Sequence, residues 1–420
     1  MRRPKLVDTL RDYSWPLFRA DALAGISVAL VALPLCIAIA IASGSTPFVG
    51  LVTAIVGGLI ISATSGSRVQ IGGPTGAFIV VVYGVIQAHG MDGLIVATIM
   101  AGLILIVAGF LRAGRLIALV PEAVIDGFTI GIAGIIAVSQ LKDALGYPDG
   151  RVPADTLPKL EWLWDARDSV GLAAVGVTVA TIAAILLLRR WRPRWPVLVI
   201  AVGAASLAVM AFHLPVDTVG SRFGALPTGL PLPHWPEVTG AMLIELLPSA
   251  LTIAFLAGVE SLLSAIVADR MFDGHHRPSA ELLAQGYANV VTPMFGGLPV
   301  TGAIARTATN VRAGGRTPVA GMVHAIVILA VVMAAGGLAG ALALPALAAV
   351  LLVTAWNMAE PDKWRAHLAL PWDELLLLIL TLVLTIFADL TIAIGVGVAL
   401  GLFLRWWKGA VAKRWTPRDN

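Results

Sequence analysis

The stretch Gly296-Gly-Leu-Pro-Val-Thr-Gly-Ala-Ile-Ala-Arg-Thr-Ala-Thr-Asn310 decides the fold of this chain. A glycine pair and a proline open it, and an apolar run that contains Arg306 follows. The first half of the chain repeats the pattern as Gly72-Gly-Pro-Thr-Gly-Ala77. Glycine and proline favour extended backbone followed by the start of a new helix. The sequence therefore predicts two interrupted segments, each with a short extended stretch before a half-helix, and we number them 3 and 10.

The composition indicates lipid as the solvent of this chain. It has 420 residues, of which 58% are hydrophobic and 13% charged, and its mean hydropathy is +0.89. Soluble domains contain about 45–50% apolar and about 25% charged residues. The single cysteine, Cys36, excludes a disulfide framework and a cysteine-based metal centre. The net charge of +4 indicates contact with anionic lipid headgroups and not with nucleic acid.

The apolar runs between charged or Pro/Gly breaks predict about fourteen membrane segments. A bilayer is spanned by about 20 apolar residues. The runs lie near 21–43, 47–65, 75–88, 93–111, 120–141, 168–188, 196–213, 244–268, 279–292, 302–311, 318–337, 341–357, 373–388 and 390–407. If both termini are cytoplasmic, most of the 29 Lys and Arg residues fall on the inner side, as the positive-inside rule requires.

The predicted fold class is an all-α polytopic membrane protein built from two inverted seven-span repeats. Seven is an odd number, so the second repeat enters the membrane from the opposite side. The predicted organisation is a cytoplasmic N-terminus (1–20), a first repeat (21–213), an extracytoplasmic connection (214–243), a second repeat (244–408) and a cytoplasmic tail (409–420). We expect the protein in the inner (cytoplasmic) membrane.

The two interrupted segments predict an anion site. The first N–H groups of a helix have no partner within the helix, and its N-terminus carries partial positive charge. Two such N-termini that face each other at mid-membrane would bind negative charge. The alternative interpretation is that Gly-Gly-Pro only relieves packing, which is less convincing for two copies in matching positions.

Two ionisable residues in apolar segments favour the same site. Arg306 is always charged and costly in hydrocarbon, so it must face a partner or a wet cavity. It would stabilise a bound anion, or form an ion pair with Glu260, or both. Ser264 lies four residues after Glu260, on the same helical face, an arrangement that suits Na⁺ or a protonatable carboxyl. The alternative role of Glu260 is charge balance for Arg306.

The residues resemble the sulfate permease (SulP) family over nearly the whole chain. The resemblance rests on Asp21-Ala-Leu-Ala-Gly-Ile-Ser-Val-Ala-Leu-Val-Ala-Leu-Pro34, on the stretch from Gly114 to Phe128, and above all on 296–310 with its continuation to Gly321. The family implies fourteen spans, with spans 1–4 and 8–11 in a core domain and spans 5–7 and 12–14 in a gate domain. It also implies a homodimer.

The resemblance also implies the residues of the site. The substrate would contact span 3, span 10 and span 1, at Thr75, Gly76, Ala77, Ala303, Ala305, Arg306, Leu35, Cys36 and Ile39. A coupling ion would use Glu260 and Ser264. Leu35 stands where many members carry glutamine, which weakens the expectation of sulfate-like specificity. The chain ends at Asn420, where most members continue into a STAS domain, so that domain is expected to be absent.

The predicted function is secondary active transport of a small anion by an elevator type of alternating access, either coupled to H⁺ or Na⁺ or without coupling. Bicarbonate, a dicarboxylate, sulfate and chloride all fit a site made of backbone N–H groups. The alternatives are an uncoupled anion channel and a nucleobase permease of the same architecture, and Arg306 argues against the permease. The HExxH, GxSxG and Walker motifs are absent from the sequence, so we predict no enzyme, cofactor or metal site.

Overall fold

The computed structural model describes residues 3–114, 120–148, 152–153, 156–192, 195–236, 238–272, 274–388 and 390–407. The predicted tail, 409–420, lies outside the described residues. Helices make up most of the described chain. The sheet in the described part consists of two strands of two residues each. The two strands lie in the two predicted interrupted segments.

The helices of the first half follow the predicted apolar runs. They are α1 (Lys5–Thr9), α2 (Trp15–Ala42), α3 (Pro47–Thr64), strand β1 (Gly72–Gly73), α4 (Ile79–Phe110), α5 (Glu122–Leu145), α6 (Thr156–Asp165), α7 (Leu172–Trp191) and α8 (Val197–Ala211). Helix α2 begins at Trp15, six residues before the predicted limit of 21. Pro16 lies in its first turn, where a missing N–H costs no helical hydrogen bond.

The second half repeats this agreement. It contains α9 (Val219–Phe223), α10 (Gly240–Phe272), α11 (Pro278–Met294), strand β2 (Thr301–Gly302), α12 (Ile304–Arg312), α13 (Pro318–Ala339), α14 (Leu344–Met358), α15 (Trp364–Leu368), α16 (Trp372–Phe387) and α17 (Leu390–Trp407). Helix α12 has nine residues. At 1.5 Å per residue it covers about 14 Å, less than half of a bilayer core of about 30 Å.

Seven helices of the described chain are long and apolar enough to cross a membrane. They are Trp15–Ala42, Pro47–Thr64, Gly76–Phe110, Glu122–Leu145, Leu172–Trp191, Gly240–Phe272 and Leu344–Leu368. Shorter apolar helices occupy Val197–Ala211, Pro318–Ala334 and Ile392–Leu404. The predicted runs 3 and 4 form two helical stretches within Ile79–Phe110, separated by a sharp break at Gly90, where φ is 67° and ψ is −170°. The chain is a multi-pass membrane protein.

A buried carboxylate joins the starts of α2 and α13. Asp21 is fully buried and accepts hydrogen bonds from the Tyr13 hydroxyl (3.0 Å), the Arg316 N–H (2.8 Å) and the Thr317 N–H (3.1 Å). The Thr317 hydroxyl donates to the same carboxylate. Asp21 thus anchors the two residues that precede α13, and the Thr317 hydroxyl in turn accepts the Val319 N–H of the first helical turn (3.2 Å).

We expect Asp21→Ala to lower the free energy of unfolding by about 3 kcal/mol, because several buried donors lose their common acceptor. Thermal denaturation of the purified protein in detergent measures the loss. Asp21→Asn keeps the shape and one acceptor oxygen, so its melting temperature should lie between those of the parent and of Asp21→Ala. A melting temperature of Asp21→Ala equal to that of the parent would show that these bonds do not hold α2 to α13.

Candidate functional site

The two extended stretches pair with each other. Strands β1 and β2 are antiparallel, with Gly72 opposite Gly302 and Gly73 opposite Thr301. The Ala303 N–H donates to the Ile71 carbonyl (2.8 Å) and extends the pairing by one bond. A 3₁₀ turn from Gly76 leads from β1 into α4, and α12 begins directly after β2. The structure therefore places both extended stretches before their helices and brings the two helix starts together.

The start of α12 has backbone N–H groups without partners inside the helix. At the start of α12 the Thr307 N–H donates to the Ala303 carbonyl (2.9 Å). The N–H groups of the three residues before Thr307 therefore have no acceptor within the helix. Ala303 is 8% exposed, whereas Ile304 is 41% exposed and Ala305 is exposed as well. Solvent or a ligand can approach this helix start from one side.

A polar stripe on α11 holds both strands in place. Glu281, Gln285 and Asn289 recur every four residues and are fully buried. Glu281 accepts bonds from the Ser65 hydroxyl (2.6 Å) and the Gly66 N–H (3.1 Å), in the segment before β1. The side chain of Asn289 bonds both to the N–H (2.9 Å) and to the carbonyl (2.8 Å) of Val300, the residue before β2. One helix face thus positions both strands.

The stripe extends to α10 through Ser261. The Ser261 hydroxyl donates to Glu281 (2.7 Å) and accepts from Gln285 (2.7 Å) and Gln70 (2.9 Å). Gln70 lies two residues before β1, and a Cβ on Gly302 would lie only 1.5 Å from its Nε2 atom. Our sequence interpretation missed this network. Its signal was the spacing of Glu281, Gln285 and Asn289, a polar face in an otherwise apolar helix.

Arg306 lies against β1. It is 1% exposed, and its Nη2 donates to the Pro74 carbonyl (2.5 Å). A Cβ on Gly73 would lie 2.0 Å from Arg306 Nη1. The guanidinium therefore caps the backbone that leads into the first helix start, and its charge lies beside the strand pair. Of the roles predicted for Arg306, this geometry fits best the electrostatic stabilisation of an anion bound nearby.

Glu260 faces the same helix start from α10. The Thr75 hydroxyl donates to its carboxylate (2.8 Å). Glu260 and Arg306 form no ion pair in the described part of the chain, so that interpretation was wrong: Arg306 is satisfied in part by a backbone carbonyl. Ser264 bonds to Thr307 (3.2 Å), whose hydroxyl also accepts the Ile71 N–H (3.1 Å). Ser264 and Glu260 thus have different partners.

Helices α2, α5 and α14 lie around the two helix starts. Helix α2 packs against α12. Cys36 and Ile39 of α2 are buried, and Leu35 is partly buried against the same apolar cluster. A Cβ on Gly76 would lie 3.2 Å from Ile136 Cδ1 on α5 and 3.3 Å from Met358 Sδ on α14. Helix α2 therefore lies beside the start of α12, and the turn at Gly76 lies against α5 and α14.

A cavity lies away from this region. It has a volume of about 350 Å³ and is bounded by the ends of α5, α7 and α14 and by the segment before α9. Arg222 in its wall pairs with Asp143 (2.7 Å) and Asp217 (3.1 Å). Its positive charge is therefore already offset by two carboxylates, which makes this cavity a poorer place for an anion than the helix starts. The described residues contain no group of three or more His, Cys, Asp or Glu side chains that could hold a metal ion.

A multi-pass helical bundle with two discontinuous helices, paired at their starts by short strands, defines a class of membrane transport protein. The sulfate permease family profile matches residues 18–381, and the chain belongs to that family. The members of this family are transporters and not enzymes.

Three relatives show how far the likeness extends. YvdB of Bacillus subtilis, whose name assigns it provisionally to sulfate transport, is 38% identical over 351 residues, which cover 83% of this chain and 66% of YvdB. The bicarbonate transporter BicA of Picosynechococcus sp. is 29% identical over 79% of this chain and 60% of BicA. The solved transmembrane domain of a cyanobacterial BicA superposes with a TM-score of 0.83 and 27% identity, covering 91% of this chain and 99% of that domain. The chain thus spans about two thirds or less of these two full-length relatives.

Proposed function

We propose that the chain is a secondary active transporter of a small inorganic or carboxylate anion. The observation that carries this proposal is the β1–β2 pairing, which sets two helix N-termini beside each other with Arg306 against them. Partial positive charge from both helices and the full charge of Arg306 favour an anion there. Bicarbonate, a dicarboxylate, sulfate and chloride are the candidate substrates, and relatives named for sulfate and bicarbonate support this class.

We propose fourteen spans in two inverted repeats, with both termini in the cytoplasm. The fourteen predicted runs each coincide with a helical stretch, and the antiparallel pairing of β1 and β2 suits segments of opposite orientation. Thr75, Gly76 and Ala77 with Ala303, Ala305 and Arg306 would bind the substrate. Leu35, Cys36 and Ile39 of α2 would form the wall.

The packing of the helices supports a core domain that moves against a gate domain. Helices α2, α3, α4, α10, α11, α12 and α13 pack mainly with one another, and α5, α7, α8, α14, α16 and α17 form a second packed group. The site lies where Gly76 of the first group meets Ile136 and Met358 of the second. An elevator movement would carry the paired helix starts past this contact. We also propose that two copies associate as a homodimer.

We propose Glu260 as the group that couples transport to a cation gradient. Its carboxylate accepts the Thr75 hydroxyl at the edge of the site, so a cation there would lie close to the bound anion. Ser264 would act through Thr307, its partner in the structure. The transport mode is then symport of the anion with H⁺ or Na⁺ by alternating access.

We expect Glu260→Gln to reduce accumulation driven by a Na⁺ or H⁺ gradient at least about fivefold, because the amide keeps the shape but loses the negative charge that holds a cation. Uptake of labelled anion into proteoliposomes, with and without each gradient, measures the change. Glu245→Gln is the matched control, since Glu245 is an exposed residue at the start of the same helix. An unchanged gradient dependence in Glu260→Gln would limit Glu260 to a structural role.

The same proteoliposomes distinguish transport from the alternatives. A carrier of bicarbonate, succinate, sulfate or chloride saturates and shows counterflow, whereas an uncoupled channel gives unitary currents without counterflow. A nucleobase permease would take up uracil or xanthine and none of the four anions. Absence of saturable uptake of every anion in the panel would contradict the proposed function.

A further inference from the structure

A cluster of buried polar groups lies behind β1. His324 of α13, Ser62 of α3 and Arg306 of α12 are each 1% exposed or less. Both ring nitrogens of His324, the Ser62 hydroxyl, and Nε and Nη1 of Arg306 have no hydrogen-bond partner among the described residues. Buried polar atoms in proteins are nearly always bonded to protein, water or a ligand. The hydrogen-bonding atoms of this cluster are therefore available to a bound species.

Close approaches at three glycines locate the cluster. A Cβ on Gly58 would lie 3.2 Å from the Gly72 carbonyl oxygen and 3.7 Å from His324 Nδ1, so the imidazole reaches the back of β1. At Gly321, one helical turn before His324, a Cβ would lie 2.1 Å from Ser62 Oγ. A Cβ on Gly73 would lie 2.0 Å from Arg306 Nη1. His324 and Arg306 thus border successive residues of the same strand.

The other titratable groups around His324 are few. Arg306 on α12 contributes a positive charge whose field reaches both His324 and Cys36 of α2. Helix α3 presents Gly58 and Ser62, which do not titrate. Asp21 is held by Thr317, seven residues before His324, about 10 Å along the helix. In the described chain no carboxylate is hydrogen-bonded to His324, so Arg306 dominates its electrostatic surroundings.

We propose that His324 binds one proton together with the transported anion. This inference rests on the proposed anion site. In the empty site a protonated His324 would place a second positive charge near Arg306 in a medium of low dielectric constant, which is unfavourable. A bound anion at the helix starts offsets that charge and allows the imidazole to accept the proton on a free ring nitrogen.

Linkage makes the effect reciprocal. If the anion favours protonation of His324, protonation strengthens anion binding by the same factor. The anion and one proton then occupy the core domain as a pair and cross the membrane together. This proton is separate from the cation proposed for Glu260, because Glu260 is bonded to Thr75 and not to the cluster behind β1.

The test counts protons taken up when an anion binds. Bicarbonate, succinate, sulfate and chloride are titrated calorimetrically at pH 7 into the purified chain in two buffers of different protonation enthalpy. We expect the parent to take up about one more proton per bound anion than His324→Gln, which keeps a polar side chain but does not titrate. His234→Gln, at an exposed position, should match the parent. Protonation of the ligand itself is the same in all three proteins and cancels.

Equal proton numbers in the parent and in His324→Gln would overturn the proton site while leaving the anion site intact. If the parent binds none of the four anions, the proposed function fails, and this inference fails with it. A second readout compares the pH dependence of the affinity: between pH 8 and pH 6 the Kd of the parent for the free anion should fall by up to about tenfold per pH unit more than the Kd of His324→Gln. The same pH dependence in both proteins would also overturn the proposal.

Discussion

Arg306→Ala is expected to reduce anion uptake at least about 30-fold while leaving a folded protein. A unit charge about 8 Å from the anion contributes about 2 kcal/mol at an effective dielectric constant of about 20, which corresponds to about 30-fold in affinity. Arg306 is the full positive charge that lies against the strand pair, and its bond to Pro74 also orders the entry to α4. Initial rates of labelled-anion uptake into proteoliposomes measure the loss.

Two variants separate charge from structure at this position. Arg312→Ala removes an exposed arginine from the last turn of the same helix and should transport as the parent does. Arg306→Lys keeps the charge but loses the planar guanidinium, so we expect an intermediate rate. Size-exclusion elution and melting temperature establish that each variant is folded. Uptake at the parental rate in Arg306→Ala would remove Arg306 from the site.

Gly73→Ala should reduce uptake at least about tenfold. Gly73 has a φ of 153°, which side-chain-bearing residues rarely adopt, and a Cβ there would lie 2.0 Å from Arg306 Nη1. The methyl group must displace either the guanidinium or the strand, and both position the helix start. The expected result is a folded protein with slower uptake, because α11 still holds the segment before β1.

Gly84→Ala is the matched control for Gly73→Ala. Gly84 lies in α4, the helix that β1 leads into, and a Cβ there meets nothing within 4 Å. Alanine favours the helix by about 0.5–1 kcal/mol relative to glycine, so this variant should be at least as stable as the parent. Normal uptake in both glycine variants would contradict the account of how β1 and Arg306 fit together.

The two extended stretches could be predicted from the sequence because their cause is local. Gly-Gly-Pro and its relative at 296–299 prevent a continuous helix wherever they occur, and the recurrence in both halves indicated that the two belong together. The break between runs 3 and 4 was marked in the same way, by Gly90. The strand register, with Gly72 opposite Gly302, depends on the packing of α11 and α10 and has no local signature.

The partners of the charged groups could not be predicted in the same way. Arg306 bonds to the carbonyl of Pro74, and a backbone acceptor leaves no trace in the residue types. The spacing of four residues puts Glu260 and Ser264 on one face of α10. Their hydrogen-bond partners, Thr75 and Thr307, come from distant segments, so this spacing could not predict them. Glu281 was missed although its spacing to Gln285 and Asn289 was readable.

Crystals of the chain grown or soaked in bromide would test the central claim most directly, since bromide is an anion visible by anomalous scattering. We predict an anomalous peak between the N–H groups that follow Thr75 and those that follow Ala303, within reach of the Arg306 field. A peak only in the cavity beside Arg222, or none near the paired strands, would contradict the claim that two helix starts form the anion site.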